Sequence, residues 1–213
     1  MRGRVWGQDH PEMQKRIILE AARKLFIRDG IERVGIADIA AEARLTRATI
    51  YQYFANKEDI AWAIAQSIFE QTHERGHEQS RAEASTGYEA IERLLASIID
   101  EFLHNPDQVN FMAQFDYMYA RHWSVERLIE LEALALPGVM DFYTGLIRQG
   151  IADGSLRSDL DPALTLHAII NAIVAVQRRF AFMGNKVEAE YGQSTERMLR
   201  EVCRIILSGI KAP

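Results

Sequence analysis

The sequence predicts an all-α protein: an N-terminal three-helix head built around a helix-turn-helix, followed by a larger C-terminal helical domain. Three observations predict it. Apolar residues recur three and four apart from Ile17 almost to the C-terminus, and no alternating strand pattern or internal repeat interrupts them. Two short helical patterns, 36–43 and 47–54, meet with only a tight connection between them. The breaks fall on helix-stopping and helix-starting signals such as Asp29-Gly30, Asn105-Pro106 and Asp161-Pro162.

Pro11 suits the first turn of the first helix, where a missing N–H costs nothing. Ile17, Ile18, Ala21, Ala22, Leu25 and Phe26 form its apolar stripe, and Asp29-Gly30 closes it. In the arm before it, Arg2 and Arg4 are placed to meet a DNA backbone or minor groove. The second helix has one slim apolar face of Ile39, Ala40 and Ala43, and the small Ala40 lets two helices cross closely. Thr46 stands where an N-cap belongs, ahead of a third helix, Arg47 to Phe54, that turns Ile50 and Phe54 inward. Leu45 and Ile50 plug the angle between the two helices. Arg47, Thr49, Gln52 and Tyr53 face outward, and such groups reach base edges and phosphates. Asn56 caps a fourth helix, with Glu58 and Asp59 at its positive end. This helix buries Ile60, Ile64 and Ile68 and turns polar after Glu70; Gly76 and the stretch 81–87 mark a boundary.

Beyond it, Tyr88, Ile91, Leu94, Leu95, Ile98 and Phe102 form one stripe, and Phe111, Phe115, Met118 and Tyr119 form the next. Ser124 opens a further helix that Pro137-Gly138 breaks, and Val139 to Ile151 follows. Asp161-Pro162 starts a helix that is apolar on more than one face, which marks central core or burial against a partner. Ser194 or Thr195 starts the last, with Leu199, Val202, Cys203, Ile206 and Ile210 along one side. These signals divide the chain into an arm (1–10), a helix-turn-helix domain (11–56) and a helical domain (57–213).

The runs IILEAARKLFIRDG (Ile17 to Gly30) and DIAAEARLTRATIYQYFANKEDI (Asp38 to Ile60) resemble the TetR (tetracycline-repressor-like) family of bacterial transcription regulators. Two positions depart from the family's pattern. Arg44 stands where the turn usually carries Gly, and Gly35 stands where Ser or Thr usually opens the motif. The resemblance implies a ligand-responsive, sequence-specific DNA-binding regulator: a homodimeric repressor released from a palindromic operator by a small-molecule effector. By matching positions it assigns DNA contacts to Thr46, Arg47, Ala48, Thr49, Tyr51, Gln52, Tyr53 and Lys57, with Lys57 as the phosphate-binding lysine. Arg47 is the candidate for guanine, Ala48 and Thr49 for base edges, and Gln52 for a base one turn further. Tyr51 and Tyr53 would bond phosphates, with Tyr51 as core the alternative.

The resemblance also implies an effector cavity and a two-fold interface in the helical domain. Phe111, Gln114, Phe115, Met118, Tyr119, His122, Phe142, Gln177 and Phe180 are the candidate cavity residues: mostly apolar walls with a few placed polar groups. In the family the final pair of helices forms a four-helix bundle with a second subunit, which points to Leu166, Ile170, Ile173, Val174, Leu199, Val202 and Ile206.

Of 213 residues 48% are hydrophobic and 26% charged, as in ordinary soluble proteins. No apolar run approaches a membrane span, and the N-terminus lacks the apolar core of a signal peptide. One cysteine allows no internal disulfide, so a reducing cytoplasm is expected. The net charge of −5 argues against a general nucleic-acid binder. Residues 1–60, however, hold 11 Lys+Arg against 9 Asp+Glu, and the remainder 14 against 21. A slightly basic head on an acidic body fits a protein that meets phosphate at one end. His73-Glu74-Arg75-Gly76-His77 matches the H-E-x-x-H signature of zinc hydrolases. Its flanks are polar, and Ser80 and Glu83 stand where the extended signature needs Gly and His, so neither an enzyme nor a metal or other cofactor is expected. The competing readings are a helical metal-dependent hydrolase and a non-specific architectural DNA binder.

Overall fold

The structure, a computed structural model, describes residues 9–81, 84–127, 129–130 and 138–213, without the side chains of residues 9, 10, 73, 76, 77 and 79–81. The arm with Arg2 and Arg4 and the side chains of His73 and His77 therefore lie outside the described residues. The helices are α1 (Asp9–Asp29), α2 (Ile36–Ala43), α3 (Arg47–Tyr53), α4 (Lys57–Arg81), α5 (Gly87–His104) and α6 (Pro106–His122). After them come α7 (Val139–Ala152), α8 (Pro162–Met183), α9 (Asn185–Tyr191) and α10 (Thr195–Ile210). Residues 125–127 and 129–130 are helical too, as Ser124 predicts, while the break at Pro137 lies outside the described residues. Gly76 does not end α4, which runs through it to Arg81. The short α9, between Gly184 and Gly192, has no counterpart in the sequence reading. No helix among the described residues is long and apolar enough to cross a membrane.

The chain forms two compact units. The first holds Met1–Ser67 together with Gln114–Trp123; the second holds Ile68–Ala113 and Ser124–Pro213. The last turns of α6 thus pack with the head, where Phe115 and Met118 are buried. Trp62 lies 5.8 Å from Phe115 and 5.0 Å from Trp123, ring centre to ring centre. In the same unit Ile18, Ala22, Leu25 and Phe26 of α1, Ile39 and Ala40 of α2, Ile50 of α3 and Ile60 and Ile64 of α4 are all buried. Ile17, at the edge of the α1 stripe, is exposed.

In the second unit α5, α7, α8 and α10 enclose one core, with Ile91, Leu95, Ile147, Leu166, Ile173 and Leu199 fully buried. The α5 N-terminus is satisfied almost donor by donor. Gly87 N–H donates to Asp153 Oδ2 at 2.8 Å, Tyr88 N–H to Ser155 Oγ at 3.1 Å, and Glu89 N–H to Thr86 Oγ1 at 3.2 Å. α5 and α7 cross with Gly87 against Gly150: a Cβ on Gly87 would lie 2.2 Å from Gly150 N. Asp161 caps α8 ahead of Pro162, and Ser194 caps α10, both as the sequence predicts.

Leu166, Ile173 and Leu199, read from sequence as interface residues, are each 0% exposed and belong to the chain's own core. Ile170, Val174, Val202 and Ile206 are half-buried against that same core. Helical spacing marks a residue as apolar but not which of two apolar faces is inner, and on a helix apolar all round the choice is undetermined.

Candidate nucleic-acid interface

The candidate surface is built by local rules over residues 35–57. Gly35 caps α2 from an extended conformation, and its N–H donates to Asp38 Oδ2 at 2.8 Å. This is the half of a capping box that needs no side chain on the cap itself. Arg44 ends α2 in the left-handed conformation, φ 55° and ψ 39°. Its N–H reaches Ala41 O, and Leu45 N–H reaches Ala40 O at 2.9 Å, closing the helix end. Arg44 is the non-glycine residue with positive φ among the described residues. A side chain there costs about 1–2 kcal/mol that glycine would avoid. Arg44→Gly is therefore expected to raise unfolding stability by about 1 kcal/mol, after glycine's greater unfolded-state freedom is deducted. A denaturant midpoint that fell would contradict it.

Thr46 Oγ1 accepts from Thr49 N–H at 3.1 Å and sits 2.9 Å from Thr49 Oγ1, which starts α3 cleanly. With Ile50 buried, α3 turns Arg47, Ala48, Tyr51 and Gln52 outward as one continuous face, and Tyr51 is 56% exposed. That spacing of i, i+1, i+4 and i+5 is one side of a helix. A guanidinium, a methyl, a phenol and an amide so aligned can read base edges and touch phosphates. Thr49 and Tyr53 sit half-buried on its flanks. Tyr53 OH donates to Gln14 Oε1 of α1 at 2.8 Å, so its hydroxyl faces the head and not the open side. The two tyrosines are thus placed the other way round from the reading that made Tyr51 core and Tyr53 outward.

Charge follows the same division. In this unit Lys24 pairs with Glu42 and Arg28 with Asp29, holding both carboxyls below the usual range through these hydrogen bonds. Among the described residues, neither Arg44 nor Arg47 takes part in an ion pair. Lys57 is engaged elsewhere. Its ammonium donates to the carbonyls of Ile31, Glu32 and Val34 at 3.0, 2.8 and 3.2 Å. An ammonium has three N–H donors, and here all three hold the turn between α1 and α2. The phosphate contact expected of Lys57 requires at least one of them to be released.

The residues expected to line a cavity divide between the units. Gln114, Phe115, Met118, Tyr119 and His122 belong to the first, and Phe111, Phe142, Gln177 and Phe180 to the second. Gln114 Oε1 accepts from Ile31 N–H at 3.0 Å, and His122 borders an open depression of about 240 Å³ with Glu32, Lys57, Glu58 and Met118. In the second unit Gln177 is buried and donates to Ile98 O, Phe111 and Phe180 are buried, and Phe142 packs against Tyr143. Sequence reading missed Gln14 and Gln114 as supports of the head; each acts across a sequence separation that helical spacing does not reach.

Residues 18–64 match the family described as bacterial regulatory proteins, tetR family. The chain is 24% identical over 177 residues to the HTH-type transcriptional regulator TtgR of Pseudomonas putida, covering 80% of this chain and 81% of that one. It is 26% identical over 158 residues to the fatty acid metabolism regulator protein of Bacillus subtilis, covering 73% and 77%. Among solved structures, the transcriptional regulator FadR from Bacillus subtilis in complex with stearoyl-CoA superposes with a TM-score of 0.71 at 23% identity, over 93% of this chain and 99% of that one.

Proposed function

We propose that this chain, whose head belongs to the TetR family of bacterial regulatory proteins, is a homodimeric cytoplasmic repressor that binds a palindromic operator and leaves it when a small molecule binds the helical domain. The observation that carries this reading is the outward face of α3, where Arg47, Ala48, Tyr51 and Gln52 align beside Arg44, which is in no ion pair among the described residues. A helix of this kind enters a major groove, and two copies related by a two-fold axis meet half-sites about 34–36 Å apart. Selection from a pool of random duplexes tests it: a pseudo-palindromic consensus is expected, and no enrichment would count against it.

The second copy would dock on the outer sides of α8 and α10. On α8, Leu164 and Phe182 are each 68% exposed, with Ala168, Ala172 and Ala175 exposed between them; on α10, Ile205 is 57% exposed. Alanines between two large apolar ends allow close helix approach, and the stripe continues over more than four turns. Ala175→Arg is expected to convert a two-chain particle to a one-chain particle in light scattering, and to lower operator affinity with it. A variant that stayed dimeric would place the interface elsewhere.

The effector reading rests on the family, since the cavity candidates are distributed between the two units. Stearoyl-CoA, the ligand of the Bacillus subtilis relative, is the first probe. An effector coupling of about 1–3 kcal/mol would change operator affinity several-fold to a hundredfold.

A further inference from the structure

We propose that Gln114, on α6, is a positioning residue for the recognition helix α3. The inference rests on the DNA-binding reading above. The turn from Gly30 to Val34 connects α1 to α2 and lies outside both helices. It is held from two other elements. Lys57 of α4 gathers the carbonyls of Ile31, Glu32 and Val34, and Gln114 of α6 accepts the N–H of Ile31 at 3.0 Å. Within the turn, Val34 N–H and Arg33 N–H share Gly30 O at 3.4 and 3.3 Å, which leaves the side-chain contacts to set its position. Ile31 and Val34 are 2% and 3% exposed, so an N–H left without Gln114 has little water to turn to.

The turn leads straight into the Gly35 cap of α2, and α2 carries α3 through the Arg44 closure. A shift at Ile31 is therefore passed to the side of α3 that carries Arg47, Tyr51 and Gln52. Gln114 Oε1 also lies beside Gly30, where a Cβ would be in ordinary van der Waals contact with it at 3.6 Å. Gly30 has φ 92°, so the turn's first residue is in a conformation that favours glycine. Across 83 residues of sequence, this acceptor ties the middle of α6 to the turn that leads into the helix-turn-helix.

Two variants separate the acceptor from the space it fills. Gln114→Met keeps the length of the side chain and loses the acceptor oxygen, whereas Gln114→Glu keeps an oxygen at that place. Amide exchange, read without DNA, is expected to accelerate about tenfold at Ile31 and across the first turn of α2 in Gln114→Met, and to stay near wild type in Gln114→Glu. Operator affinity is expected to fall about tenfold in Gln114→Met, with affinity for random duplex unchanged, since the latter depends on phosphate charge alone. A residue that only stabilised the fold would lower both affinities together by reducing the folded fraction. Unchanged exchange at Ile31, or equal loss on both DNAs, overturns the proposal. If the wild type itself bound no operator, the repressor reading would fall, and altered exchange in α2 and α3 would still decide whether Gln114 sets their position.

Discussion

Gly87→Ala is expected to destabilise the second unit by about 3 kcal/mol, the upper end of what overpacking usually costs. The reason is backbone against backbone. A Cβ at Gly87 would lie 2.2 Å from Gly150 N, 2.4 Å from Gly150 Cα and 2.6 Å from Leu146 O, and none of these can rotate away. α5 would have to lift from α7, and the lift would also strain the bond from Gly87 N–H to Asp153 Oδ2. Gly145 lies in α7 like Gly150, but a Cβ there would meet nothing within 4 Å. Gly145→Ala should therefore be neutral or stabilise by up to about 1 kcal/mol, since alanine is the better helix former. Denaturant unfolding of the two variants side by side checks both signs. Equal midpoints would show that the crossing is looser than the structure places it.

Arg47→Ala is expected to weaken operator binding by about 1–3 kcal/mol per half-site, or about 2–6 kcal/mol for a dimer on a two-fold site. Arg47 is exposed at the first position of α3, one residue past the Thr46 cap, and it is in no ion pair among the described residues. Its guanidinium is thus available for a base edge or a phosphate without first breaking an internal contact. Tyr53→Phe is the matching control. Its hydroxyl is occupied by Gln14, so its loss should loosen α1 from α3 and leave base preference as it was. Binding measured against the consensus and against single-base variants separates the outcomes. Relaxed preference at one position with Arg47→Ala identifies a base contact, and a uniform loss identifies a phosphate contact.

The head was legible in sequence because its determinants are local. Thr46, Gly35 and Asn56 sit where caps are needed, and each is found capping: Thr46 to Thr49, Gly35 through Asp38, Asn56 to Asp59 at 2.8 Å. The left-handed Arg44 was legible for the same reason, as the residue standing where a turn of this type wants glycine. What remained hidden depends on contacts between distant residues. The bonds from Tyr53 to Gln14 and from Ile31 to Gln114 reverse or redefine the posts of residues whose helical spacing is unremarkable. Lys57 shows the same limit, since its position at the start of α4 is evident in sequence but its three carbonyl partners are not. On α8 the limit is different. Leu166 and Leu164 are both leucines two residues apart, one fully buried and one 68% exposed, and only the packed core distinguishes them.

Sequence-specific DNA binding is tested by the ratio of two affinities at physiological salt. Fluorescence anisotropy would compare a duplex from upstream of the protein's own gene with a scrambled duplex of equal length. A ratio of at least about 10³ in favour of the upstream duplex is expected, within the range of specific DNA-binding proteins. A ratio near one, with binding to both falling steeply as salt rises, would contradict it and leave a non-specific binder.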